Sequence, residues 1–542
     1  MPDQPLPALL QAITVRAQHG PSPTDAIAGV TQDSRAVTRG ACFVAVPGFT
    51  VDGHTFLRAA IDNGAGALVV QEDRAQIWQP LLPDLRVPLV VVLDTRVALA
   101  DLAAAYHDFP ARKLTVIGIT GTDGKTTTSY LTRSILEAAG HPCGLIGGVQ
   151  FKVGDDWRWN TLTQTSPEAD LIQSLLAEMV EAGQTHVVME ATSHGLSLHR
   201  LDHCEFDIAV FTGLSDDHLD FHRTREAYLD AKLNLFRALT TSAPQGTTKS
   251  AVFFLDEPHA PAIRTAIADG AIADGAIAAG VIADGVGKSV GDADEGPNPV
   301  HTITLALDSS AENAGADIST SDIQASATGS TLRMVTPGGA LGTEVHMPGR
   351  FNLRNALSAT GAAWAAGVPI GPIADGLAQV QGVPGRMEPI DAGQPFALVV
   401  DAAATGAALR TVLEAIRPLV QGRIIAVFGC AGERDPARGR EMGRAAAELA
   451  DYSILTNENP RSADPAALVH DIAEAMQSAG ASPGTSYEEE PDRRAAIARA
   501  ITLAEPDDFV LIAGKGAEQT MIYHDHTDPW DDREIALELL PT

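Results

Sequence analysis

Between residues 118 and 128 the chain reads GITGTDGKTTT, behind the apolar run KLTVI and ahead of the helix-like SYLTRSILEAAG. These residue types suit one task, the holding of phosphate oxygens. Gly121 and Gly124 let the backbone turn tightly, so that successive N–H groups face a single anion. The helix that follows adds the positive end of its dipole. Lys125 is placed to reach the outer phosphates of a nucleotide and the Thr126 hydroxyl to ligate Mg²⁺; Thr122, Asp123 and Thr127 complete the loop. Counted from Gly118 the spacing is one residue longer than G-x-x-x-x-G-K-[ST], yet strand, Gly-Lys-Thr and helix come in the working order.

Two further stretches could serve the same loop. THVVMEATSHGLSLHRL puts Glu190 at the end of a strand-like run, and GLSDDHLDFHRTREAYLDAKLNLF offers His218 and Lys232. In an open α/β sheet the loops at the carboxyl ends of the strands form the site. Thr126, Glu190 and His218 are therefore expected to meet around Mg²⁺ beside the phosphates. Taken singly each has a plainer reading, since an isolated Glu is usually solvated and the Lys of DAKLNLF is usually a helix-surface charge.

The elements that must position these groups fall into three segments. A chain of 542 residues is too long for one core and suggests about three domains. The first runs over residues 1–110. The second, 111–345, opens with the phosphate loop and continues through strand-like THVVMEA, FDIAVFTGL and SAVFFLDE. The third, 346–542, alternates FALVV, RIIAVFG, YSILT and FVLIAG with Ala-rich helical stretches. Both later segments read as parallel α/β units. The predicted fold is thus α/β in three domains, a central P-loop-type, mostly parallel sheet preceding a C-terminal Rossmann-like domain. One stretch, AIADGAIADGAIAAGVIADG (Ala266–Gly285), repeats a five-residue unit. Glycine at that interval undermines a helix, so a surface loop insertion over about 266–290 is expected.

Composition excludes several classes. The net charge of −31 argues against nucleic acid or anionic membrane as a main partner. The 45% hydrophobic content comes without an apolar run of membrane-spanning length. Nothing at the N-terminus resembles a signal peptide. Cys42, Cys143, Cys204 and Cys430 are scattered, without a C-x-x-C pair, which fits a reducing cytoplasm and neither a zinc site nor a disulfide framework.

TGTDGKTTT, TSPEADL, MEATSHGLSLHRL, DHLDFH, AKLNLF, PGRFNLRNAL, VPGRMEPID, FGCAGERD, NENPR and GKGAE stand in the order seen in the Mur ligases, which the chain resembles over nearly its whole length. The similarity is strongest to the branch that adds the third residue of the peptidoglycan stem peptide. It implies an ATP-dependent amide ligase adding meso-diaminopimelate to UDP-N-acetylmuramoyl-L-alanyl-D-glutamate. Lys125, Glu190, His218 and Lys232 then form the catalytic set. Glu190, His218 and Thr126 bind Mg²⁺ with Lys232, which matches a lysine carbamylated in this family. Asn352 and Asn355 match adenine contacts, and Arg386 and Asp401 further ATP contacts. Ser34, Arg35, Asp52 and His54 resemble the uridine-nucleotide site, and Thr165, Ser166, Ser193 and Arg200 the residues gripping the muramoyl peptide. Arg434, Asn459, Arg461, Gly514 and Glu518 match contacts to the incoming amino acid. The segments take the matching roles: UDP-substrate binding, ATP binding and amino-acid binding. The implied partners are small molecules, with a cytoplasmic monomer expected.

The resemblance has departures. The family's D-Y-A-H-T-P reads DAAATG (Asp401–Gly406), G-K-G-H-E reads GKGAE with Ala517 for His, FTN reads FTG with Gly213 for Asn, and D-N-P-R reads ENPR with Glu458 for Asp. Three alternatives therefore stay open: a ligase for L-lysine or ornithine, a ligase joining another amine and acceptor in the manner of folylpolyglutamate synthase, and a catalytically weak nucleotide-binding relative.

Overall fold

The computed structural model describes residues 4–22, 26–162, 164–241, 247–273, 282–284, 299–308 and 315–540. They fall into two compact units. The first is Met1–Leu305 with Gly315–Asp317 and Thr360–Val368; the second is Ala306–Ala314, Ile318–Ala359 and Pro369–Thr542.

Besides the two-stranded pairing of Gln4–Pro5 with Ala26–Ile27, the first unit contains two main sheets. The smaller pairs Val30–Thr31, Cys42–Val44, Ala67–Gln71 and Leu89–Val92 in parallel, with Ala17–His19 antiparallel on Leu89–Val92. Its strands read as unbroken apolar runs because both faces are covered. Cys42, Val44 and Val69 pack with helix Thr95–Tyr106 on one side, Phe43, Leu68 and Val70 with Leu57 and Trp78 on the other. Asp94 caps that helix, accepting from the N–H of Arg96 at 2.8 Å, as an N-cap acid does.

The larger sheet has the strand of the phosphate loop, Thr115–Thr120, at its centre. His186–Glu190 lies on one side and Ile208–Phe211 on the other, both parallel to it. Cys143–Ile146, Ser250–Phe254 and Val300–Ala306 extend the parallel part, and the hairpin Gln150–Val153/Asp156–Trp159 closes one edge antiparallel. Register pairs Glu190 with Ile119 and Phe211 with Thr120, which sets the Glu190 carboxylate level with the start of the loop. Helix Arg225–Thr241 lies against this sheet so closely that a Cβ on Gly118 would sit 2.7 Å from Leu235. Lys232, one turn earlier, shares that inward face.

The glycine-spaced repeat departs from expectation at its start. Helix Ala260–Ala273 runs through Ala266, Ile267 and Gly270, and the side chains of Ala266 and Ile267 are buried in the core of the larger sheet. A Cβ at Gly270 would lie 2.4 Å from Thr240 Oγ1 and 2.9 Å from the Arg237 carbonyl. This glycine permits close approach of two helices, which outweighs its intrinsic cost of about 1 kcal/mol. Most of the remaining repeat lies outside the described residues.

The second unit holds an antiparallel meander, Ile318–Ser326, Gly329–Thr336 and Gly339–Val345, and a six-stranded sheet. The order of the latter is Glu388–Pro389, Ala397–Asp401, Phe509–Ala513, Ile424–Cys430, Tyr452–Asn457, Tyr487–Glu489, parallel except for the first. Alternation along each strand splits two cores. Val399, Phe428 and Leu511 face helices Gly406–Ile416, Ala437–Leu449 and Pro465–Ser478, while Leu398, Val427 and Ile512 face Arg493–Leu503 and Asp532–Leu539. This is the doubly covered, Rossmann-like sheet that the apolar runs predict. Among the described residues no helix is long and apolar enough to cross a membrane.

Candidate active site

The phosphate loop is shaped by its glycines. Gly121 has φ +151° and a Cβ there would fall 2.0 Å from Thr212 Oγ1; Gly124, at φ +84°, occupies the N-cap of helix Lys125–Ala138. The loop is braced from outside. Thr122 N–H donates to the Gly213 carbonyl at 2.9 Å, and Thr212 Oγ1 to the Asp123 carbonyl at 2.6 Å. Gly213, where the family has Asn, contributes its carbonyl from φ +132°, a backbone conformation that favours glycine. Thr127, on the first turn of the helix, is buried.

Two lysines converge on one carbonyl. Lys125 Nζ donates to Gly121 O at 2.9 Å and Thr122 O at 2.7 Å, and Lys232 Nζ donates to Gly121 O at 2.7 Å. Lys232 is buried, not a surface charge, and its ammonium stands 4.4 Å over the Tyr228 ring. Burial, followed by the neighbouring Lys125 charge, brings its pKa down to about 6. Tyr228 was not evident from the sequence. It lies four residues before Lys232 on the same helix face, and its hydroxyl donates to Thr122 Oγ1 at 3.2 Å.

Thr126 and Glu190 come together as expected: the Thr126 hydroxyl donates to Glu190 Oε2 at 3.1 Å, and Gly148 N–H to Oε1 at 2.9 Å. Both side chains are buried. A buried hydroxyl and carboxylate, both hard oxygen donors, fit Mg²⁺. His218 is placed differently. It takes a left-handed conformation (φ +52°), lies 3.3 Å from Asp217, and turns its half-exposed ring toward His194 (centroids 4.9 Å) and Tyr228 (6.0 Å). Burial, with His218 and His222 adding charge repulsion, pushes His194 down to about 4. Among the described residues no three His, Cys, Asp or Glu side chains converge tightly enough to hold a metal by themselves.

The muramoyl-peptide candidates interlock behind Glu190. Ser166 Oγ donates to the Glu190 carbonyl at 2.8 Å, and Arg200 holds the Ser166 carbonyl (3.3 Å) and Glu168 (2.7 Å). Arg200 Nε is buried without a partner. Ser193 Oγ lies 3.0 Å from His222 Nε2, and Thr165 stands against Gly148. In the first segment Arg35 is open to solvent and pairs with Asp33 at 2.8 Å, beside buried Ser34. Asp52 accepts from His54 N–H (3.0 Å) and Arg74 Nε (2.9 Å). His54 is held through both ring nitrogens. Its Nδ1 donates to Asp52 at 2.7 Å and its Nε2 accepts the Gln71 N–H at 2.9 Å, so the buried ring braces the loop. Burial lowers its pKa, which keeps that neutral tautomer.

In the second unit the expected residues gather at the carboxyl ends of the parallel strands. Asp401 accepts N–H groups from Met387 and Ala403, each at 2.8 Å. The turn bearing Arg386 presses on the GKGAE loop, where a Cβ on Gly385 would meet Ala517 N at 2.1 Å. Asn459 donates to Glu518 Oε2 at 2.9 Å and accepts from Lys515 Nζ at 3.0 Å, and Lys515 donates to Glu518 at 2.8 Å. Lys515 was not singled out from the sequence, although it is the Lys of GKGAE. Gly514 (φ +112°) donates to the Asp401 carbonyl, and Glu458 is buried, its carboxyl pushed up by burial and then by Glu518. Arg461 has φ +53°, a conformation costing on the order of 1 kcal/mol, and its Nε is buried with no hydrogen-bond partner. Arg434 is exposed on the loop after Ile424–Cys430. Asn352 and Asn355 are turned inward, Asn352 onto the Pro348 carbonyl (2.8 Å) and Asn355 onto Asn352 Oδ1 (3.1 Å).

Three family models match in chain order: "Mur ligase family, catalytic domain" over residues 26–107, "Mur ligase middle domain" over 119–274, and "Mur ligase, glutamate ligase domain" over 385–516. A UDP-N-acetylmuramyl-tripeptide synthetase of Roseiflexus sp. (strain RS-1) is 41% identical over 95% of this chain and 94% of its own length. The chain belongs to the Mur ligase family. A UDP-N-acetylmuramoyl-L-alanyl-D-glutamate–2,6-diaminopimelate ligase of Gloeobacter violaceus is 40% identical, covering 95% of this chain and 94% of the relative. A solved structure of a ligase of that same description superposes with TM-score 0.65 at 28% identity over 98% of both chains. This Mur ligase therefore has the three-domain α/β architecture of its relatives, and it is an ATP-dependent acid–amino-acid ligase.

Proposed function

We propose that this Mur ligase joins meso-diaminopimelate to UDP-N-acetylmuramoyl-L-alanyl-D-glutamate at the expense of ATP, in peptidoglycan precursor synthesis. The single observation that carries the choice of amino acid is Arg461. Its backbone N–H donates to the Ile522 carbonyl at 2.9 Å, Ile522 N–H in turn donates to Asn459 at 3.0 Å, and its side-chain Nε is buried without a hydrogen-bond partner. Among the described residues no carboxylate stands within ion-pair distance of it. A planar fork of this kind pairs bidentately with a carboxylate. The far end of diaminopimelate carries one, whereas lysine and ornithine carry none.

A carboxylate is a poor acyl donor, so ATP first converts the D-glutamate carboxylate into an acyl phosphate, releasing ADP. The incoming amine attacks that carbonyl carbon, loses a proton, and phosphate leaves from the tetrahedral species. Lys125 leaves its loop carbonyls to pair with the outer phosphates, where negative charge grows during transfer. The loop N–H groups and the helix behind them hold the same oxygens. Thr126 and Glu190 would hold Mg²⁺, which when bound neutralises phosphoryl oxygens as a Lewis acid. In the second unit Asn352, Asn355, Arg386 and Asp401 serve the nucleotide, while Arg434, Asn459, Arg461, Gly514 and Glu518 seat the amino acid. Ser34, Arg35 and Asp52, with Thr165, Ser166, Ser193 and Arg200, hold the UDP-linked acceptor. His218 would join Thr126 and Glu190 in holding Mg²⁺.

Lys232 is proposed to act as a carbamate. Its amine is buried beside a second ammonium, an arrangement that favours the neutral, nucleophilic form. Attack on CO₂ forms a C–N bond, releases a proton to solvent and replaces a repelled cation by an anionic oxygen donor. Lys232→Ala should therefore lose activity that bicarbonate does not restore and that a short-chain carboxylic acid partly restores. Wild type incubated with ¹³C-bicarbonate should show a carbamate carbon by NMR that the variant lacks. Normal turnover of Lys232→Ala removes the carbamate from the account. The substrate choice is tested by steady-state kcat/KM for meso-diaminopimelate, L-lysine and L-ornithine.

A further inference from the structure

We propose that Arg438 binds the α-carboxylate of the incoming amino acid, the carboxylate adjacent to the amine that reacts. The inference rests on the ligase reading above, but not on which amino acid is used, because every α-amino acid carries this group.

Arg438 lies in the first turn of helix Ala437–Leu449, directly after the strand Ile424–Cys430. Asp435 orders that turn by accepting the Ala437 N–H at 2.9 Å. From there Arg438 reaches across to the neighbouring loop, where Nη2 donates to the Ala404 carbonyl at 2.8 Å. The run Ala402–Ala404 has only methyl side chains, so the guanidinium lies against bare backbone. This contact anchors one corner of the fork. Nε is buried and has no hydrogen-bond partner, and among the described residues no carboxylate lies within 4 Å of the guanidinium. In a chain with 69 acidic and 38 basic side chains, a half-buried arginine left without an acid calls for an explanation.

Its surroundings connect it to the amino-acid rim. Arg438 lies near enough to Glu458 and Cys430 to act electrostatically on both. The Glu458 carboxyl in turn stands 3.4 Å from where a Cβ on Gly514 would be. Gly514 leads into Lys515, which is bonded to Asn459 and Glu518. Arg438 and Arg461 thus share this strand-end rim, each with a buried unpartnered Nε. Orphaned buried donors are costly, and a carboxylate satisfies a guanidinium through two parallel bonds. Two such groups suit an amino acid held by both ends, with Arg461 serving the far carboxylate and Arg438 the near one.

The test is steady-state kinetics with saturating ATP and UDP-linked acceptor, comparing each amino acid with its α-carboxamide. Arg438→Ala should raise KM for the amino acid about ten- to a hundredfold, the loss expected for hydrogen bonds to a charged group, with KM for ATP unchanged. Guanidinium chloride at millimolar concentration should restore part of the loss. The wild-type preference for the acid over the amide should collapse in the variant. Arg438→Lys, which keeps the charge and the helix surface but loses the fork, should fall between the two. An unchanged KM, or an equal loss on acid and amide, overturns the assignment while leaving the ligase reading intact. A wild type that turns over no amino acid overturns both.

Discussion

Lys125→Ala should abolish ligation, by about a hundred- to a thousandfold or more in kcat, the scale seen when one stabilising group is taken from a site of developing charge. The fold should survive. The loop conformation is set by Gly121 at φ +151° and Gly124 at φ +84°, and by the Thr122–Gly213 and Thr212–Asp123 hydrogen bonds, none of which needs the Lys125 side chain. Its hydrogen bonds to the Gly121 and Thr122 carbonyls are bonds that water can replace at this half-buried loop. The ammonium is therefore dispensable for the resting structure and needed only when phosphate oxygens gain charge. An ADP-release assay alongside a thermal melt checks both halves. Undiminished turnover at an unchanged Tm excludes this loop as the nucleotide site.

The second large effect concerns selectivity. Arg461→Ala should reduce kcat/KM for meso-diaminopimelate far more than residual use of L-lysine. A guanidinium left buried without its carboxylate costs on the order of a few kcal/mol, at least about tenfold in discrimination. In wild type that cost falls on lysine; in the variant it falls on neither amino acid, so the two values should approach each other. The competing view is that Glu458 and Ala517 have reshaped the rim for a diamine. Glu458 is buried near Gly514 and its carboxyl is pushed up by burial and by Glu518, a setting that disfavours its charged form. A wild type that prefers lysine or ornithine decides for the reshaped rim.

Much of this arrangement was legible in the sequence because local chemistry and long-range geometry agreed. The strand–loop–helix of residues 115–138 announces itself through its glycines and its Gly-Lys-Thr. The register that brings Glu190 beside Thr126 follows from parallel strands ending at one edge. Other features depended on contacts that spacing does not encode. Gly270 reads as a helix breaker until helix Arg225–Thr241 is seen against it. The bracing of the His54 ring by Gln71 and Asp52 on its two nitrogens is likewise absent from the sequence pattern. Lys232 had a plain surface reading; tertiary packing, not its neighbours in sequence, buries it beside Lys125. Lys515 and Arg438 went unnoticed because each acts through a loop distant in sequence, Asn459 for the one and Ala404 for the other.

As a ligase of this family, the chain should make one amide bond for each ATP it consumes. Purified full-length protein, Mg²⁺, ATP and UDP-N-acetylmuramoyl-L-alanyl-D-glutamate should release ADP only when meso-diaminopimelate is added, and mass spectrometry should find the UDP-linked tripeptide in equal amount. ADP release that ignores both the acceptor and every amino acid offered, with no tripeptide formed, would contradict the account.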